Sequence, residues 1–251
     1  METTTDTTSI PKLDIERAFT FVFKDPDWIK KVAVAAAFAI SIVGMPALAG
    51  WTLEIQKRVQ DGEDDTLPRW TVIGDFFVDG LKYLLVNFVW FLPFSLIYFA
   101  VMIPYMLMAI NEPSMADNSI LPIGVFMLPY LMMPVMMILS FVMYTLMPII
   151  SGNYLETRKI KDAFKFRRMF DLVKVNFWVL LAAAFLGYLG NQVFSMVGMF
   201  ACFVGMFLTI PIGGAVMYHF FGQAYRISKI KLAAKQAAAK EIDNTLAEHP
   251  A

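Results

Sequence analysis

The sequence predicts an all-α, polytopic membrane helix bundle, with about four full spans, a kinked or re-entrant first apolar segment, and interfacial amphipathic helices. Hydrophobic residues fill 58% of the 251 positions and charged residues only 17%, against about 45–50% and 25% in ordinary soluble domains. The charges are also segregated: 83–110, 118–155 and 175–225 contain none apart from the titratable His219. A bilayer core takes roughly 20 apolar residues per helix, so these runs hold one, one and two spans respectively. The short alternating segments of a membrane β-barrel do not occur.

The stretch "METTTDTTSIPK" has neither a basic start nor an apolar core, so residues 1–12 read as a disordered tail rather than a signal peptide. The membrane domain then runs over residues 13–228. Within 13–23, Leu13, Ile15, Ala18, Phe19, Val22 and Phe23 face off against Asp14, Glu16 and Arg17, which predicts a short helix lying flat in the interface. Pro26 disfavours helix at Asp25 and turns the chain. Trp28 is then an interfacial anchor for the apolar run 32–53, broken near Gly44, Pro46 and Gly50. A second surface helix is expected over 51–60, ended by Asp61-Gly62. The remaining spans fall at 83–110, 122–150, 178–197 and 200–221, with a third amphipathic helix at 160–175. Residues 229–251, rich in Ala, Lys and Glu, predict a cytoplasmic helix and tail. Ala18-Phe19, Trp28 and Ala35 to Phe38 parallel Ala163-Phe164, Trp178 and Ala182 to Phe185, which suggests a degenerate internal repeat.

Sidedness follows from the basic residues. Five precede the first apolar run, four lie in 50–82, seven in 151–174 and five after Tyr225, while the linker 111–121 has none. By the positive-inside rule all four basic regions are expected in the cytoplasm, with residues 32–53 entering and leaving on one side. The rival is a single crossing by 32–53 that places the N-terminus outside.

The most charged stretch, "GWTLEIQKRVQDGEDDTLPRW" (50–70), leads into "GDFFVDGLK" (74–82). Together with the closing "LTIPIGGAVMYHFFGQAYR" (208–226), it resembles a prokaryotic integral-membrane family, the domain-of-unknown-function family four thousand and thirteen. The resemblance covers roughly residues 13–228 and rests on Gly50, Trp51, Gly62, Leu67, Pro68, Trp70, Asp79, Gly80, Tyr225 and Arg226. It implies a bacterial or archaeal membrane protein and no known activity.

Chemistry is sparse. Zero formal net charge argues against nucleic acid as a partner. The single Cys202 lies in an apolar run and excludes a disulfide framework. Glu63-Asp64-Asp65 lacks the spacing of a calcium loop and reads as a solvated turn. His249 sits in a polar tail. No paired metal ligands and no nucleophile–base set occur, so no enzyme, cofactor or metal is expected. His219 reads as an interfacial side chain within reach of headgroups, or else as a proton-sensitive group at depth. Asn191, Gln192 and the prolines 93, 104, 129, 134 and 211 read as packing features, or else as broken helices that ligate a substrate. Lys165, Arg167, Arg168 and Lys174 are candidate contacts for anionic headgroups. The expected function is a non-enzymatic scaffold or accessory subunit, partnering membrane lipids and another membrane protein or itself. A transporter or carrier of a lipid or apolar solute is the alternative.

Overall fold

A computed structural model describes residues 10–63, 66–111, 120–200 and 204–248. The readings placed on the 1–9 tail, Asp64-Asp65, the 112–119 linker, Cys202 and His249, and on the side chain of Pro129, lie outside the described residues. Seven α-helices follow in order: α1 (Ile15–Lys24), α2 (Trp28–Ile40), α3 (Met45–Asp61), α4 (Ile73–Asn111), α5 (Ile120–Thr157), α6 (Phe166–Phe200) and α7 (Val204–Glu248). Single-turn 3-10 segments at Ile42–Gly44, Trp70–Val72 and Ile160–Phe164 join them. Among the described residues there is no strand, and the chain is an all-α bundle.

Among the described residues, four stretches are long and apolar enough to cross a membrane: Trp70–Pro104, Tyr130–Thr157, Phe166–Phe200 and Gly205–Thr245. Their number is the expected one, but each reaches beyond the apolar run that predicted it. Nothing in 166–175 breaks a helix, so the amphipathic stretch expected at 160–175 is a 3-10 turn fused to the start of α6, with a kink only at Asn176 (φ −147°, ψ 35°). The first apolar run is indeed broken. Its break falls at Ser41, whose extended backbone ends α2 and whose hydroxyl accepts from Gly44 N at 3.0 Å. Pro46 then opens α3 in the first turn, where its missing N–H costs nothing. At 13 residues, α2 is about 20 Å long, short of a hydrocarbon core of roughly 30 Å.

The chain divides into two compact units, Met1–Leu84 with Thr145–Ala251, and Leu85–Tyr144. The smaller unit comprises the C-terminal part of α4 and the N-terminal part of α5, with Pro93 and Pro104 inside α4; Phe88, Leu96, Met133 and Met137 are among its exposed apolar side chains. The larger unit holds the charged 50–82 stretch, the cassette. Asp14 caps α1 by accepting from Arg17 N at 2.9 Å, and the helix buries Ala18, Phe21 and Val22. Phe21 and Val22 join Val32, Ala35, Trp51, Ile55, Leu67, Phe76, Ile212 and Ala215 in one core.

The helix expected to lie on the surface at 51–60 is instead the second half of α3, and it is central. Trp51, Leu53, Ile55 and Gln56 are all buried, because α4 and α7 pack against this helix and the 66–70 segment runs back along it. The mixed polarity of 51–60 therefore reflects a helix buried against polar as well as apolar partners. Nor does the apparent repeat extend to local structure. The first copy folds as two separate helices and the second as a turn followed by a helix kinked at Asn176, just before Trp178, while Trp28 is partly buried and Trp178 is 76% exposed.

Candidate functional site

A polar cleft of about 660 Å³ opens where the α1–α2 turn, α2, α3, the 66–72 segment, the start of α4 and Arg158 come together. Two ion-paired centres build it. The first is Asp25, only 2% exposed. Its carboxylate accepts from Lys31 Nζ (2.6 Å), Leu67 N (2.9 Å) and Asp27 N (2.9 Å), and Lys31 Nζ also donates to Leu67 O at 2.7 Å. Burial pushes the Asp25 carboxyl up. Lys31 and the two backbone donors outweigh that and hold it below its ordinary value of 3.8.

Asp25→Asn is expected to lower stability at neutral pH by about 2 kcal/mol, the scale of hydrogen bonds to a buried charge. The sign with pH follows from linkage: a depressed carboxyl stabilises above its unfolded pKa and loses that contribution as pH falls through the folded one. The gap between wild type and Asp25→Asn should therefore close below about pH 4, read as unfolding midpoints in detergent across pH. A gap that stays constant to pH 3 would remove Asp25 from this role.

Arg158 is the second centre. Its Nη2 donates to Glu54 Oε2 of α3 at 2.8 Å and its Nη1 pairs with Asp79 of α4. Tyr154 OH donates to Asp79 O at 3.1 Å, and Arg58 approaches Glu54 at 3.6 Å. Arg158 sits just past α5 with φ 56°, the only non-glycine residue in the left-handed region among those described. One side chain thus ties the end of α5 to α3 and α4.

Of the sequence-predicted motif, Leu67 and Asp79 line this cleft, and Gly50, Trp51, Pro68, Trp70 and Gly80 support the elements that carry them. Trp51 and Trp70 stack with ring centroids 5.5 Å apart, and Phe38 covers the other face of Trp70 at 5.0 Å. Trp51 Nε1 donates to Pro68 O (3.1 Å) and Trp70 Nε1 to Lys31 O (2.9 Å), so both indoles pin the Leu67-Pro68 segment to α2 and α3. Leu67 is fully buried. Gly50 and Gly80 lie at the α3–α4 crossing beside Asp79. Gly62 ends α3 at φ 78°, and Glu63 N donates to Arg58 O at 2.9 Å, a left-handed stop that glycine adopts at little steric cost.

The rest of the predicted set lies elsewhere. Tyr225 is buried against Gly152, donating to Asn153 Oδ1 at 2.9 Å, and the Arg226 guanidinium covers Gly62. His219 is not the headgroup-facing side chain expected: α1 covers it completely, with the Phe21 ring 4.4 Å away and Gln223 Nε2 3.1 Å from its Nδ1. Asn191 packs beneath Gly213 at the α6–α7 crossing, while Gln192 faces outward. Arg168 is held by Glu156 at 2.6–2.7 Å, while Lys165, Arg167 and Lys174 are exposed. The sequence reading missed Asp25, Lys31, Glu54 and Arg158. Asp25 was visible only as a turn residue, and the pairing of Arg158 with two acids far away in the chain leaves no local signal.

Residues 33–210 match the family model described as "Protein of unknown function (DUF4013)". The chain belongs to this family. The matched DUF4013 segment contains Gly50, Trp51, Gly62, Leu67, Pro68, Trp70, Asp79, Gly80, Glu54 and Arg158, whereas Asp25, Lys31, Tyr225 and Arg226 fall outside it. No curated protein and no solved structure matches the chain.

Proposed function

We propose that this DUF4013 protein is a non-enzymatic scaffold or accessory subunit of a membrane assembly in the cytoplasmic membrane of a prokaryote. The observation that carries the reading is α7. Among its described side chains the last buried one is Ser228, yet the helix continues to Glu248, and residues 233–245 are exposed on all sides. An isolated helix of that length is marginal in water. Here the buried part of α7 templates it, and it presents an arm of Ala, Lys and Glu with Ile242 exposed at 62%. The cassette supports the same reading. The charged groups at its two centres are committed to one another, which suits a preformed docking face.

The basic regions and both termini are assigned to the cytoplasm, with α2 and α3 as a re-entrant hairpin. Lys31 at its base is bonded to Leu67, and Ile40, Ile42, Val43 and Met45 at its tip are exposed and apolar.

The test is gentle purification of the full chain from its native membrane, followed by a density map. A stoichiometric partner on the α7 arm, released by Ile242→Arg, is the expected result. A lone protein that moves a lipid or apolar solute in liposomes, with flux abolished by Asn191→Leu, replaces the scaffold with a carrier.

A further inference from the structure

Beside the start of α6 lies an open groove of about 630 Å³, completed by α7. Lys165, Arg167, Arg168 and Lys229 line it, with Asp171 as its one acid and Leu232 on its floor. Two carboxylates stand behind these cations. Glu156 serves both Arg168 and Lys229 (2.9 Å), and Asp162 pairs with Lys165 at 3.0 Å. The cluster therefore keeps a net positive charge, and Arg167, exposed, makes no ion pair among the described residues. These cations also sit at the wrong end of a helix. The first turn of α6 carries no acidic residue, so the positive pole of the helix dipole adds to the side-chain charge instead of offsetting it. An anion in the groove would relieve both.

The neighbouring surface says what kind of anion. Phe166 and Phe170, one helical turn apart, are exposed at 53% and 58%, and Phe177 and Trp178, just past the Asn176 kink where α6 becomes apolar, are exposed as well. Trp favours the boundary between headgroups and acyl chains, and Phe on the apolar face of an interfacial helix embeds just beneath it. A free phosphate would leave that surface unused, whereas an amphiphile covers it.

We propose that this groove binds the phosphate of an anionic glycerophospholipid, with its acyl chains along the Phe170–Trp178 face. Arg167 and Lys229 are the principal headgroup contacts. Arg168 is a positioning residue, held by Glu156 and by its 3.3 Å bond to Tyr225 OH. Lys229 replaces Lys174 in the set expected from sequence, because α7 brings it to the groove and Lys174 does not line it. The site stands independently of the scaffold reading.

The test is native mass spectrometry of the full chain in detergent, titrated with dioleoylphosphatidylglycerol or dioleoylphosphatidylcholine. Phosphatidylglycerol should be retained preferentially. Each basic contact with anionic lipid is worth about fivefold, so Arg167→Gln with Lys229→Gln should weaken retention about twenty-five-fold. Lys235→Gln with Lys240→Gln, on the exposed arm of α7, should change little. Should the double variant not fold, Arg167→Gln alone removes no ion pair and should still cost about fivefold. Equal retention by the groove variants and wild type overturns the proposal, as does an equal loss in the arm variant. Displacement of the lipid by millimolar inorganic phosphate would make the groove a free-phosphate site and overturn the lipid assignment.

Discussion

Gly80→Ala will drive α3 away from α4 and lower the stability of the cassette by about 3 kcal/mol, at the upper end of what overpacking costs. A Cβ at position 80 would lie 1.8 Å from Pro46 O and 2.7 Å from Gly50 N, and a Cβ at Gly50 would lie 1.9 Å from Phe76 O. All of these are backbone atoms, so no rotamer change relieves the clash. The helices themselves must move apart. That movement would carry Asp79 away from Arg158 and Phe76 away from Trp70, whose rings meet edge to face at 5.7 Å. Close crossings at small residues are how helices gain dispersion contacts where lipid competes for apolar surface. The measurement is the unfolding midpoint in detergent, followed by the fluorescence of the stacked Trp51 and Trp70. Gly74→Ala is the built-in control, since a Cβ there meets nothing within 4 Å. It should leave the midpoint unchanged or raise it slightly, as alanine is the better helix former. Equal midpoints for the two variants would defeat the backbone-contact account.

Arg158→Ala is expected to cost about 2 kcal/mol. Removing the shared partner of two ion pairs leaves Glu54 paired with Arg58 at 3.6 Å and Asp79 with Lys82 at 3.8 Å among the described residues, so both carboxylates lose their best-made contact. The Arg158 side chain is 33% exposed, so solvent screening trims the cost below that of a fully buried pair. Backbone conformation adds a second, separable effect. A non-glycine residue at φ 56° carries roughly 1–2 kcal/mol of strain, which alanine keeps and glycine sheds. Arg158→Gly should therefore be the milder substitution by about 1 kcal/mol, although it loses the same guanidinium. Unfolding midpoints of the two variants, compared at low and high salt, check both parts. Identical midpoints for alanine and glycine would show that the left-handed backbone is not strained. An alanine variant as stable as wild type would show that the bridge contributes nothing.

What the sequence determined by itself was set by chain-local physics. Segregated charge and long apolar runs required helices that satisfy their own backbone, so the all-α class, the number of span-length helices and the break in the first apolar run were legible from composition and breakers alone. Family membership was legible because the 50–82 stretch, which carries the glycine, proline and tryptophan residues of the resemblance, lies inside the matched segment. Tertiary structure decided which faces are covered. The mixed polarity of 51–60 described a surface helix until α4, α7 and the 66–70 segment enclosed it. His219 looked interfacial until α1 lay across it. The centres at Asp25 and Arg158 depend on partners 42, 79 and 104 residues away, and periodicity within a helix carries no trace of such pairings. Lys229 reached the groove only because α7 folds back against α6 and leaves Lys174 outside it. Local sequence fixes where a helix starts, bends and stops; the burial of a side chain is a property of its neighbours, and those are chosen when the helices pack.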